Sequence, residues 1–102
     1  MSFIIIYVTH KNMDDAKKIA NHLLEKHLIA CANFFPIESA YWWNGKIDGA
    51  HEIVSILKTK SENWKTVRDE IARIHPYEVP CIMKIEVAAN ESYEKWIQSQ
   101  TG

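Results

Sequence analysis

The fold is decided by residues 30–60, which read ACANFFPIESAYWWNGKIDGAHEIVSILKTK. Two runs within it, Ala30–Trp43 and Ala50–Lys60, are rich in β-branched and aromatic residues, which favour strands. The segment between them, Asn44–Gly49, begins with Asn-Gly, a dipeptide that tolerates the left-handed backbone of a tight hairpin turn. The stretch therefore predicts a long β-hairpin.

This hairpin is too long for the domain that carries it. The run from Ala30 to Trp43 spans about 45 Å at about 3.3 Å per residue. A chain of 102 residues folds into a globule only about 33 Å across. The overhanging tip carries Tyr41, Trp42 and Trp43, whose exposure to water is costly. We therefore expect the protein to self-associate.

The rest of the chain supplies the other elements of an α+β domain. Phe3–Val8 is a strand with two apolar faces, so we expect both to be covered. The further predicted elements are a helix at Met13–His27 capped by Asn12, a helix capped by Ser61 that ends at Ile74 before Pro76, a strand at Cys81–Val87 and a short helix at Ser92–Gln98. This order predicts one domain over residues 1–102, a ferredoxin-like βαββαβ sandwich with a long central hairpin and a C-terminal helix.

Charge and composition limit the classes of partner and the cellular compartment that we expect for the protein. The 12 Lys and Arg residues against 13 Asp and Glu leave a formal net charge of −1, so no basic surplus is available for nucleic acid. The apolar run Phe3–Val8 is too short to span a bilayer. Two cysteines, Cys31 and Cys81, are too few for a disulfide scaffold and favour a reducing compartment. We expect a cytoplasmic protein with neither nucleic-acid nor membrane partners.

Local signatures of catalysis are missing from the sequence. It has no Gly-x-Ser-x-Gly elbow, no glycine-rich phosphate loop and no Cys-x-x-Cys. His22 and His27 are five residues apart and do not share a helical face as an i, i+4 pair would. We therefore predict neither an enzyme nor an organic cofactor, and the pattern gives little support to a closed zinc site within one chain.

Two groups of polar residues stand out. His75–Pro80 reads His-Pro-Tyr-Glu-Val-Pro, and its prolines restrict the backbone that presents His75, Tyr77 and Glu78. An imidazole and a carboxylate there could ligate a cation, or the segment could simply tie a loop to the sheet. Glu52 and Lys58 are an even number of residues apart on one strand, so they share a face and lie either at a solvated rim or in a polar pocket.

Several motifs in the chain resemble those of the CutA divalent-cation-tolerance proteins, in order and spacing. They are Ala30–Asn33, Pro36, Ser39, Tyr41–Lys46, Glu52, Leu57–Thr59 and His75–Pro80. The resemblance implies a ferredoxin-like subunit in a tight homotrimer, similar to the nitrogen-signalling PII proteins. It also implies a cytoplasmic role in the tolerance of copper and other divalent cations, with no established enzymatic activity.

The metal ligands that the resemblance implies are only partly present. Val8 stands where some family members have a cysteine, and Ile74 where some have a second histidine. Cys31 matches a frequent family cysteine. We therefore expect any Cu²⁺ or other divalent cation to bind weakly, with His75 of each subunit as the first candidate ligand and Cys31 as the second.

Two other functions remain open for a trimer of this kind. One is a PII-like sensor that binds a small anionic ligand in clefts between subunits, and the other is a structural adaptor that presents a surface to a partner. The residues expected to line such clefts are Asn33, Trp43, Glu52, Lys58, Tyr77 and Glu78.

Overall fold

The computed structural model describes residues 3–102, and in it the chain forms a four-stranded sheet with three α-helices. Along the chain the elements are β1 (Phe3–His10), α1 (Met13–Glu25), β2 (Cys31–Trp43), β3 (Lys46–Lys60), a short 3₁₀ helix (Ser61–Asn63), α2 (Trp64–Ile74), β4 (Ile82–Val87) and α3 (Glu91–Gln100). The predicted α+β class and the βαββαβ order with a C-terminal helix are confirmed. Residues 1 and 2, which the domain prediction includes, lie outside the described part.

The sheet has the order β2-β3-β1-β4, and every neighbouring pair of strands is antiparallel. Its register is continuous, so alternate residues point to opposite faces. On β1, Ile4, Ile6 and Val8 belong to the hydrophobic core together with helix residues. The other face of β1 carries Phe3 and Ile5. This alternation divides the sheet into a face covered by α1 and α2 and an opposite face, here called the open face.

The core lies between the sheet and the first two helices. Leu23 of α1, Val67 and Ile71 of α2, and Leu57 of β3 are each fully buried. Burial of one such side chain stabilises the fold by about 1.5–3 kcal/mol. The open face is covered at one end by α3, where the ring of Tyr93 contacts Phe3 edge-on at a centroid distance of 6.1 Å.

The hairpin turn is tighter than the sequence predicts. Asn44 and Gly45 both have positive φ, 51° and 76°, and they form the whole turn. Lys46 pairs directly with Trp43, so β3 begins four residues before the predicted Ala50. The sequence prediction that residues 46–49 lie between the two strands is therefore wrong, because two left-handed residues suffice to reverse the chain.

The hairpin extends well beyond the rest of the sheet, as predicted. The pairing of β1 with β3 ends at Ile53, whereas β2 and β3 continue together to the turn. The structure measures 45 × 23 × 21 Å, and its long axis matches the predicted hairpin length. On the unsupported part, Trp42 and Ile47 are 72% and 71% exposed.

The helix boundaries confirm the predicted cap at Asn12 and correct the predicted end of α1 and the predicted start of α2. The side chain of Asn12 accepts a hydrogen bond from the Asp15 backbone N–H at 2.8 Å, as expected of an N-cap. The first helix ends at Glu25 rather than His27, because His27 is exposed and left-handed, with φ of 55°. Ser61 lies in the 3₁₀ helix, so α2 begins three residues later.

The remaining boundaries differ by a few residues only. The strand β1 extends two residues beyond Val8, and β4 begins one residue after Cys81. The last helix starts at Glu91 and ends at Gln100, slightly longer at both ends than predicted. Within residues 3–102, no helix is long and apolar enough to cross a bilayer.

Candidate functional site

His75 holds the segment after α2 against the end of the sheet. Its side chain is 7% exposed, and its Nδ1 accepts a hydrogen bond from the backbone N–H of Tyr77 at 3.1 Å. Since that nitrogen accepts, the proton of a neutral ring is on Nε2, which donates to the backbone carbonyl of Thr9 at 2.8 Å. Both ring nitrogens are therefore used within the protein.

A second histidine lies buried beside it. The rings of His10 and His75 stack at a centroid distance of 5.3 Å, and Nε2 of His10 lies 2.7 Å from Oγ of Ser55. Burial, together with a smaller effect of the neighbouring His75, lowers the pKa of His10 to about 4. The imidazole of His10 is therefore neutral near pH 7.

Tyr77 connects the same segment to the base of the hairpin. Its ring meets the His75 ring edge-on at 4.7 Å, and its hydroxyl donates to Oε2 of Glu52 at 2.7 Å. Burial and the adjacent carboxylate raise the pKa of Tyr77 well above its usual value, so the hydroxyl stays a donor. Glu52 lies one residue beyond the last pairing of β3 with β1.

The structure thus brings together three of the predicted residues, His75, Tyr77 and Glu52, in a chain of contacts that ties a loop to the sheet. Glu78 is exposed in the same loop. A cation at His75 would have to displace either the Tyr77 N–H or the Thr9 carbonyl. The three side chains therefore have a structural role, which is to hold the loop after α2 against the sheet.

The other candidate metal ligand lies elsewhere in the sheet. Cys31 is paired with Lys58, and its thiol lies 3.7 Å from Oδ1 of Asn33. Lys58 is five residues along β3 from Ile53, the partner of His10, which corresponds to about 17 Å. Within the part of the chain that the structure describes, no three His, Cys, Asp or Glu side chains are grouped to hold a metal ion.

Lys58 has a partner that sequence reasoning missed. Its Nζ donates to the hydroxyl of Tyr93 at 3.2 Å and lies 5.3 Å from the centre of that ring. Tyr93 belongs to α3, and the sequence gives no indication of the strand against which this helix packs. The face shared by Glu52 and Lys58 is confirmed, because β3 runs without a bulge between them.

The predicted cleft residues do not form one site within a single chain. Glu52 and Lys58 are about 20 Å apart along their strand. Trp43 lies at the hairpin turn, farther still from Lys58. A cleft that joined them would need a second copy, so the shared cleft stays a prediction.

An open groove of about 520 Å³ lies between the start of α1 and the base of the hairpin. Lys11, Pro36, Glu38 and His51 are among its lining residues. Glu38 and His51 are directly opposite on β2 and β3, with Oε1 and Nδ1 3.7 Å apart and both side chains more than four-fifths exposed. Sequence reasoning missed this pair because the six-residue loop that it assumed does not give the correct register.

Comparison with known proteins places these features in a family. The family model described as "CutA1 divalent ion tolerance protein" matches residues 4–100. A divalent-cation tolerance protein CutA of Archaeoglobus fulgidus is 45% identical over 93 residues, which cover 90% of this chain and 91% of that protein. Protein CutA of Homo sapiens is 37% identical over 97 residues, which cover 93% of this chain and 54% of that protein.

Solved structures agree with the sequence comparison. The crystal structure of CutA1 from Pyrococcus horikoshii has a TM-score of 0.94 and 40% identity, and the match covers 97% of this chain and 98% of that one. The Archaeoglobus fulgidus structure, described as a periplasmic divalent cation tolerance protein, has a TM-score of 0.94 and 42% identity, and covers 96% of this chain and 97% of that one.

Proposed function

This chain belongs to the CutA1 family of divalent ion tolerance proteins, and we propose that it acts as a cytoplasmic homotrimer in the response to divalent cations, copper among them, without catalysing a reaction. The observation that carries the proposal is the apolar surface that one copy leaves exposed. Direct cation binding in this proposal is weak, because no group of three suitable side chains is present among the described residues.

Two separate surfaces support the assembly. The hairpin overhang exposes Trp42 and Ile47, and the open face exposes Phe35, Met83 and Ile85 by 42–48%. Large exposed apolar patches mark sites of association. Because the overhang and the open face are different surfaces, a head-to-tail contact between them closes into a ring where the rotation between neighbours permits it. A ring of three copies is the assembly proposed here, in keeping with the homotrimer that the family resemblance implies.

The assembly is tested by light scattering on the full chain at micromolar concentration. The expected mass is about three times the 11.9 kDa of one chain. A stable monomer at this concentration would contradict the proposal. The proposed cytoplasmic location is tested separately by fractionation of cells. A thiol titration of the isolated protein should find Cys31 and Cys81 as free thiols, as they are in the structure.

The part of the proposal that concerns cations is tested by calorimetric titration with Cu²⁺ and Zn²⁺. Cu²⁺ should bind more tightly than Zn²⁺, since copper stands at the top of the divalent affinity order. Absence of heat with either ion across the millimolar range would contradict direct binding.

One observation favours a second function, that of a sensor for a small anion. Lys58 has a hydroxyl partner, Tyr93, and no ion pair joins it to a carboxylate in the described part of the chain. An ammonium group without a counter-charge attracts a carboxylate or phosphate. A thermal shift with citrate or phosphate that Lys58→Met abolishes would favour this function over cation binding.

A further inference from the structure

The five histidines of the chain differ in what their rings already contact. His10 and His75 are buried and hydrogen-bonded. His22 contacts Glu70 at 2.6 Å, but that carboxylate is also bonded to Lys26 and Arg73, so its charge is already compensated.

The two remaining histidines are exposed. Nδ1 of His27 lies 3.2 Å from the backbone carbonyl of Gln100, with no carboxylate paired to the ring among residues 3–102. His51 is paired with Glu38, and in the same range no ion pair links Glu38 to a lysine or arginine. Of the five, His51 is the histidine that combines an accessible ring with an uncompensated carboxylate.

We propose that Glu38 and His51 form a binding site for a divalent transition-metal cation, Cu²⁺ above all, at the base of the hairpin overhang. The proposal rests on the proposed role in the response to divalent cations and names the residues that would bind the ion. It assigns to these two side chains the ligand role that sequence reasoning gave to His75.

The geometry of the pair suits a shared cation. Two ligands about 2.0–2.1 Å from one metal ion, at angles between those of square and tetrahedral coordination, are about 2.9–3.3 Å apart. Nδ1 of His51 and Oε1 of Glu38 are 3.7 Å apart, so a small rotation of either exposed side chain brings them to this spacing. Imidazole nitrogen and carboxylate oxygen are both good ligands for Cu²⁺.

The backbone beneath the pair is held by its strand register. Glu38 and His51 are opposite residues on two paired strands, and pairing continues without interruption on both sides of them. The two Cα atoms are therefore fixed, and only side-chain freedom is lost when an ion binds. Two concave surfaces adjoin the pair, the groove near α1 and a smaller one of about 290 Å³, so water or a group from a second copy can complete the coordination.

Lys11 lines the same groove and sets a limit on affinity. Its positive charge repels a cation, although no ion pair joins it to Glu38 among the described residues. With two protein ligands and a nearby lysine, the site is weaker than one with three or four ligands. Removal of one of only two ligands should therefore have a large effect.

The experiment is a Cu²⁺ titration of the assembled full chain, followed by calorimetry and by electron paramagnetic resonance. The variants are His51→Ala and Glu38→Gln, which change exposed side chains and leave the core intact. The matched control is His27→Asn, which removes the other exposed histidine and puts an asparagine, a residue that tolerates positive φ, at its left-handed position.

We expect His51→Ala and Glu38→Gln each to weaken Cu²⁺ binding about tenfold or more, and His51→Ala to remove the nitrogen hyperfine signal of a bound imidazole. His27→Asn should bind as the wild type does. If the wild type binds Cu²⁺ and both hairpin variants bind equally well, the proposed site is wrong while the cation-binding function stands. If the wild type itself binds no Cu²⁺, both proposals are contradicted.

Discussion

His75 is the residue whose role differs most between sequence and structure. Its ring bridges the Thr9 carbonyl and the Tyr77 N–H, so its loss leaves two backbone groups without partners. We expect His75→Ala to lower the free energy of unfolding by about 2–3 kcal/mol, measured by urea denaturation. Copper isotherms at a temperature where the variant is folded should match the wild type. A loss of copper binding without a loss of stability would instead make His75 a ligand.

Buried His10 makes stability depend on pH. Its pKa falls from 6.5 in the unfolded chain to about 4 in the folded one, so between these values the unfolded state binds more protons. The stability that the fold gains from keeping His10 neutral is therefore complete above pH 6.5. It decreases as the pH falls and is lost by about pH 4. We expect a loss of about 3 kcal/mol across this window.

This dependence is measured by urea denaturation at pH 7, 6 and 5, at one protein concentration. In His10→Gln the slope between pH 7 and 5 should be much smaller, because the titrating ring is gone. An unchanged slope in the variant would assign the dependence to another group. Carboxylates such as Glu70 change the free energy of unfolding only at lower pH, below their usual pKa. They therefore do not affect the comparison of the two slopes between pH 7 and 5.

At the level of elements, Glu70 joins the two helices that cover the sheet. Its carboxylate on α2 is 2.6 Å from His22 and 2.9 Å from Lys26 on α1, and 3.0 Å from Arg73 on its own helix. Hydrogen bonds from these groups, Arg73 first, hold the pKa of Glu70 far below its usual value. A network of this kind stabilises more than an isolated surface pair.

We expect Glu70→Gln to lower the melting temperature clearly at pH 7, in thermal scans at low salt. The control is Glu91→Gln, which breaks the exposed i, i+4 pair with Lys95 and should have almost no effect. A carboxylate whose pKa is lowered in the folded state stabilises that state at pH values above its usual pKa. The difference in melting temperature between Glu70→Gln and the wild type should therefore shrink as the pH falls below about 4.5. Equal melting temperatures for the two variants at pH 7 would show that the network adds nothing.

The sequence predicts elements better than their contacts with one another. Strand and helix order follow from apolar periodicity and from local signals such as Asn12 and Pro76, which act within a few residues. The hairpin register depends on the length of one turn, and an error of four residues there hid the pairing of Glu38 with His51. The hydrogen bonds of His75 join residues far apart in the chain, and no local pattern indicates them.

At the scale of the whole molecule, the exposed apolar surface is the feature on which the proposed trimer rests. We expect Met83→Glu on the open face to shift the light-scattering mass from that of a trimer toward that of one chain, because a buried unpaired carboxylate in the interface is costly. Ala72→Glu on the exposed side of α2 is the control and should leave the mass unchanged. If the variant with Glu at position 83 stays trimeric, the open face is not part of the interface.

The two-residue turn at Asn44 and Gly45 also has a consequence for how the chain folds. Its strands are neighbours in sequence, so the hairpin can close within microseconds, whereas β1 must find β4 across most of the chain. We therefore expect folding to begin at the hairpin. In the proposed trimer, docking of that part onto another copy is a second-order reaction, so we expect it to become the slow final step at low concentration.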